Sequence, residues 1–223
     1  MIMRNRFDTQ LQLFDEQLTA MGELCQIAIE KATRAIKDGD KELAKELMHS
    51  DDEIDSMENN IERLCMKILL QQQPVARDLR RISAALKMIT DMERIGDQTC
   101  DIGEIVLSSR DDRPIDIERI GDMATAASKM VHDSVQAFVT KNLELARQVM
   151  EADDEVDQMF VEIQKELAKR VNTVQEHDGM KILDLIMVTK YLERIADHAT
   201  NIAEWVEYSI TGVHKNDPPA DGR

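Results

Sequence analysis

"DDEIDSMENNI", residues 51–61, returns as "DDEVDQMFVEI" at residues 153–163, a displacement of 102 positions. Each copy sets two acids four residues apart and an apolar residue every third or fourth position, which is the period of a helix with one buried face. The likeness extends on both sides. "KELAKELM" at 41–48 lies over "LELARQVM" at 143–150 at the same displacement, and "MERIGDQTCDIGE" at 92–104 lies over "LERIADHATNIAE" at 192–204 at a displacement of 100. The second copy is therefore two residues shorter before its last helix, and the chain is an internal duplication of one helical unit.

Turn chemistry divides the sequence into six long helical segments. Breaks fall at "KDGDK" around Gly39, at Pro74, at Pro114, in "VTKN" near Asn142, and in "QEHDG" near Gly179. The spacing predicts helices over 8–37, 40–72, 76–109, 115–139, 142–173 and 178–211. A helix of about 30 residues is about 45 Å long and needs partners along its whole length. The expected fold is all-α, with two tandem antiparallel three-helix bundles. Residues 1–111 form the first, 112–212 the second, and 213–223 a polar tail. The third helix should pack on a coiled-coil-like seam of Met88, Met92, Ile95, Thr99, Ile102 and Val106.

Composition agrees with long amphipathic helices. Hydrophobic residues are 43% but aromatics only 3%, so Leu, Ile, Val, Ala and the 14 Met must fill the core. Net charge is −16, from 44 acidic and 28 basic residues, which disfavours binding to a nucleic-acid backbone. No apolar run is long enough to act as a signal or to span a bilayer, so the sequence reads as soluble and cytoplasmic. Cys25, Cys65 and Cys100 are few and widely separated, and read as reduced thiols.

The acids carry the functional reading. Glu93, Asp97 and Asp101 follow one another at four-residue spacing, so they form a nearly straight row beside the apolar seam. Like charges at that spacing repel by roughly 0.2–0.5 kcal/mol per pair. The second copy repeats Glu193 and Asp197 and places Asn201 third; Asp51 with Asp55 and Asp153 with Asp157 supply shorter rows on the second helix of each half. If the second and third helices lie side by side, each half presents facing carboxylates, a donor set suited to hard divalent cations or iron. A solvated acidic face on a very acidic protein is the competing reading. Arg94 and Arg194 read as local ion-pair partners of the rows, His198 as a flanking histidine, and the "ERIGD" at 118–122, unmatched in the other half, as coincidence. No P-loop, dinucleotide-binding, zincin or nucleophile-elbow motif occurs, and the only E-x-x-H pair, Glu46 with His49, is not repeated.

The duplicated triplet, with D-x-x-x-D on the second helix, E-R-I-[GA]-D on the third, and "QQQPVARDLR" and "YLERIADHATNIAEW" around them, resembles the PhoU family over residues 8 to about 211. The resemblance implies a non-enzymatic negative regulator that couples the high-affinity phosphate ABC transporter, through its ATPase subunit, to a sensor histidine kinase. Such a protein works peripherally on membrane complexes. It further implies multinuclear iron or zinc on the acidic rows, with manganese, magnesium or calcium as alternatives. The implied ligands are Asp51, Asp55, Glu93, Asp97 and Asp101, then Asp153, Asp157, Glu193, Asp197 and Asn201. A metal-dependent enzyme, a phosphatase or redox protein using the same carboxylates, is the alternative. The Met-rich seams and long helices would allow a homodimer.

Overall fold

The computed structural model describes residues 2–72, 75–109, 118–171 and 176–214. Among them are six helices and no strand: α1 (Ile2–Asp38), α2 (Lys41–Gln72), α3 (Ala76–Ser108), α4 (Glu118–Thr140), α5 (Leu143–Val171) and α6 (Glu176–Thr211). The order and number match the expectation from the sequence. α1 starts earlier than residue 8, because "IMRNRFD" carries no helix breaker. The Pro74 and Pro114 breaks, the 111/112 boundary and residues 215–223 of the tail lie outside the described residues.

The duplication extends to the caps. Asp40 Oδ1 accepts hydrogen bonds from the amides of Glu42 and Leu43, both at 3.0 Å, and starts α2; Asn142 Oδ1 accepts from the Leu145 amide at 3.1 Å and starts α5. The residue before each cap adopts a positive φ, Gly39 at 64° and Lys141 at 56°. Each helix pair thus reverses through the same short corner.

Within each half the three helices pack on one another, and the halves join through α3 against α6 and α1 against α4. The α3–α6 pair is antiparallel, since Asp91 meets Asn201 and a side chain at Gly212 would meet Arg80. Met88, Met92, Ile95, Thr99, Ile102 and Val106 are all buried, as the seam requires. Their counterparts Leu192, Ile195, Ala199, Ile202 and Val206 are buried in α6. One apolar core runs through both halves, and α1 and α4 meet where Phe14 and Phe138 stand edge to face at 6.1 Å. Cys25, Cys65 and Cys100 are free thiols, as expected. Among the described residues no helix is long and apolar enough to cross a membrane.

Candidate metal centre

Because α2 and α3 pack side by side, the rows predicted on each become electrostatic neighbours. Asp51 feels Asp55 on its own helix and Asp97 and Asp101 on α3; burial first, and then these charges, push its carboxyl up to about 6. It sits low between the helices because residue 96 is glycine. A Cβ there would lie 2.9 Å from Asp51 Oδ1 and 3.1 Å from Ile54 Cδ1. That oxygen is buried without a hydrogen-bond partner.

Glu93 is also raised, by burial and then Asp97, with Glu58 and Asp55 adding to the effect and Arg94 opposing it. Its Oε2 is buried and makes no hydrogen bond, although Arg94 Nε stands 3.4 Å away. Arg94 turns outward and gives its hydrogen bond to Asp97 Oδ2 at 2.8 Å, the local pair expected from the sequence. Asp101 is raised by burial, Glu104 and Asp97. The neighbouring Cys100 thiol is pushed up to about 12 by burial and then by Asp51.

The second half assembles the same way with different chemistry. Asp153 is raised by burial, with Asp157 and Glu193 adding to it. Asp197 is pushed up to about 6 by partial burial, Glu193 and Asp153, while Lys190 pulls the other way. Lys190 Nζ lies 2.5 Å from Glu193 Oε2 and 5.4 Å from the ring centre of Phe160. The third member, Asn201, donates to Asp91 Oδ1 at 3.3 Å across the α3–α6 junction; His198 Nδ1 meets the same oxygen at 2.9 Å. His198 therefore bridges the two halves, and Arg194 faces Asp101 rather than its own row. The "ERIGD" on α4 serves packing of another kind: Arg119 pairs with Glu162 at 2.6 Å and Glu166 at 3.5 Å on α5.

Two residues escaped the sequence reading. Glu58 extends the α2 row one turn beyond Asp55 and accepts a hydrogen bond from Thr90 at 3.2 Å. Its helical spacing was a usable signal, but position 160 is Phe, so the duplication did not flag it. Lys190 was hidden for the converse reason, since its counterpart is the uncharged Thr90.

The metal implied by the resemblance can be tested against these residues. The donors are hard oxygens, and in the first half Asp51 Oδ1 is buried with no hydrogen bond and Glu93 Oε2 is met only by Arg94 at 3.4 Å, which leaves room for a cation. As the side chains stand, no three His, Cys, Asp or Glu groups among the described residues converge closely enough to hold an ion. The first half fits the group in donor type and in oxygens that make no hydrogen bond; the second, where Lys190 already meets Glu193, does not.

Comparison with known proteins agrees with the duplication. The PhoU domain profile matches residues 18–106 and 120–206, one copy in each half. A phosphate-specific transport system accessory protein PhoU homolog of Clostridium acetobutylicum is 34% identical over 214 residues, covering 94% of this chain and 96% of its own. The homolog of Aquifex aeolicus is 37% identical over 187 residues, covering 83% and 84%. The crystal structure of PhoU from Pseudomonas aeruginosa superposes with a TM-score of 0.82 at 32% identity, over 93% of this chain and all of that one. The phosphate transport system regulatory protein PhoU from Streptococcus pneumoniae does so at 0.85 and 25% identity, over 93% and 98%. With one domain in each half and similarity along nearly its whole length, the chain belongs to the PhoU family.

Proposed function

We propose that this chain is a non-enzymatic accessory regulator of phosphate uptake. It holds the phosphate-starvation response off by coupling the ATPase subunit of the phosphate ABC transporter to a sensor histidine kinase. The observation that carries the reading is the full-length match in both halves to relatives named as accessory proteins of the phosphate-specific transport system. An acidic helical body is suited to docking on larger complexes, where a metal on the first acidic row would add positive charge for a partner carboxylate or phosphate.

The test is a starvation-response reporter in cells whose own copy has been deleted, grown with ample phosphate. Expression should be high in the deletion and fall when this chain is restored; a reporter indifferent to the chain would sink the regulatory reading. Elemental analysis of untagged protein addresses the metal: stoichiometric metal in the natural sequence should be lost when Glu93, Asp97, Glu193 and Asp197 are changed to Ala and helicity is kept. Turnover of phosphate esters abolished by Asp97→Ala would replace the regulator with a metal-dependent phosphatase.

A further inference from the structure

We propose, resting on the reading that the acidic rows take a metal, that the two halves are unequal: the first row binds it, and in the second the Lys190 ammonium stands in its place. The duplication makes the comparison position by position. Thr90, which donates to Glu58, is matched by Lys190, whose Nζ lies 2.5 Å from Glu193 Oε2. Glu58 itself is matched by Phe160, which removes a carboxylate and puts a ring 5.4 Å from the ammonium to hold it in place. Asp101 is matched by Asn201, whose amide is committed to Asp91. All three differences subtract negative charge from the second row or fill it with positive charge.

The first row also carries a cation, Arg94, but it gives its hydrogen bond to Asp97 rather than to Glu93. That bond goes to Asp97 Oδ2 and the Arg94 Nε stands 3.4 Å from Glu93 Oε2, so that Asp51 Oδ1 and Glu93 Oε2 both remain without a hydrogen bond. In the second row the glutamate that matches Glu93 already accepts a hydrogen bond from a cation. A metal entering there would have to displace an ammonium hydrogen-bonded to Glu193 and would find fewer carboxylates; in the first half Arg94 stands 3.4 Å from Glu93 Oε2 without a hydrogen bond to it, and Asp51 Oδ1 has no hydrogen bond.

The experiment counts metal in the full chain. Protein stripped with chelator is loaded with zinc(II), freed of excess by gel filtration and analysed for bound zinc, with helicity followed by circular dichroism. Glu93→Gln with Asp97→Asn should lower retained zinc by about tenfold or more, since loss of even an outer-shell partner of a ligand costs about 10–100-fold in affinity. Glu193→Gln with Asp197→Asn should leave it unchanged, and Lys190→Thr should add zinc; Lys190→Gln is the second variant should the threonine perturb folding. Equal losses from the two pairs, or a larger loss from the second, would overturn the inequality while leaving metal binding intact. Unchanged zinc in both Lys190 variants would overturn the lysine's role. Zinc absent from the natural sequence would instead remove the metal reading on which this rests.

Discussion

Gly96 lies beneath Asp51: a methyl group at position 96 would stand 2.9 Å from the carboxylate and 3.1 Å from Ile54 Cδ1. The second half has Ala196 at the matching place. Alanine at 96 gains about 1 kcal/mol of helix propensity, and displacing the free end of Asp51 and a methyl of the buried Ile54 offsets much of it. Gly96→Ala should therefore change stability by less than about 1 kcal/mol, whereas Gly96→Val, with two further methyls, should lose about 1–3 kcal/mol. Urea unfolding of both variants measures this, and a valine variant as stable as the natural chain would show that the crossing is looser than described.

The crowding of Asp51 sets a pH dependence. Its folded carboxyl titrates at about 6 against 3.8 for a free one, and Asp197 behaves alike. Because the folded values are raised, the stability they contribute is fully present below about pH 4 and is lost as pH rises through about 6. Asp51→Asn, with chelator present, should then raise the melting temperature near pH 7.5 and leave it little changed near pH 4. After discounting for solvent screening the gain is about 1 kcal/mol, or roughly 2–4 °C for a chain of this size. Equal shifts at both pH values would mean that charge at Asp51 is not the source.

How far the sequence revealed this arrangement depends on what the duplication repeats. The six helices, the seam from Met88 to Val106 and the pairing of the Asp51 row with the Glu93 row follow from apolar period and turn residues, which both halves share. What differs between the halves was opaque. Glu58, Thr90, Phe160 and Lys190 occupy matching places with unlike chemistry, and only packing shows that they address the rows. His198 could be read as flanking the row, but its partner Asp91 lies in the other half, 107 residues away, and no local pattern encodes that contact.

The Arg81–Asp15 pair joins α3 to α1 under the aromatic contact, with Arg81 Nη2 2.5 Å from Asp15 Oδ1 and its guanidinium 5.1 Å from the Phe138 ring. Burial raises the Asp15 carboxyl more than Arg81 lowers it, so taking the acid out of water outweighs the attraction. Arg81→Met alone should lower stability by about 2–3 kcal/mol, less than a fully buried pair would because Asp15 keeps some exposure. Adding Asp15→Leu should recover most of that loss. A double variant no more stable than Arg81→Met alone would show that the pair is net stabilising.

Lys141 completes the corner between α4 and α5 with a φ of 56°, where the first half uses Gly39 at 64°. A side chain in the left-handed region carries a steric penalty of roughly 1–2 kcal/mol that glycine escapes. Against this, glycine makes the unfolded chain more flexible by somewhat under 1 kcal/mol. The corner is otherwise fixed by the Lys141 amide donating to Phe138 O at 3.2 Å and the Asn142 amide to Ala137 O at 2.9 Å, neither of which needs the lysine side chain. Lys141→Gly should therefore raise stability by about 0.5–1 kcal/mol, and Gly39→Lys, the reverse exchange in the first half, should lower it by a similar amount. Chemical denaturation should read a gain for Lys141→Gly and a loss for Gly39→Lys if backbone strain governs this corner; a loss for Lys141→Gly would assign the larger effect to the lysine side chain, whose charge acts on Asp15.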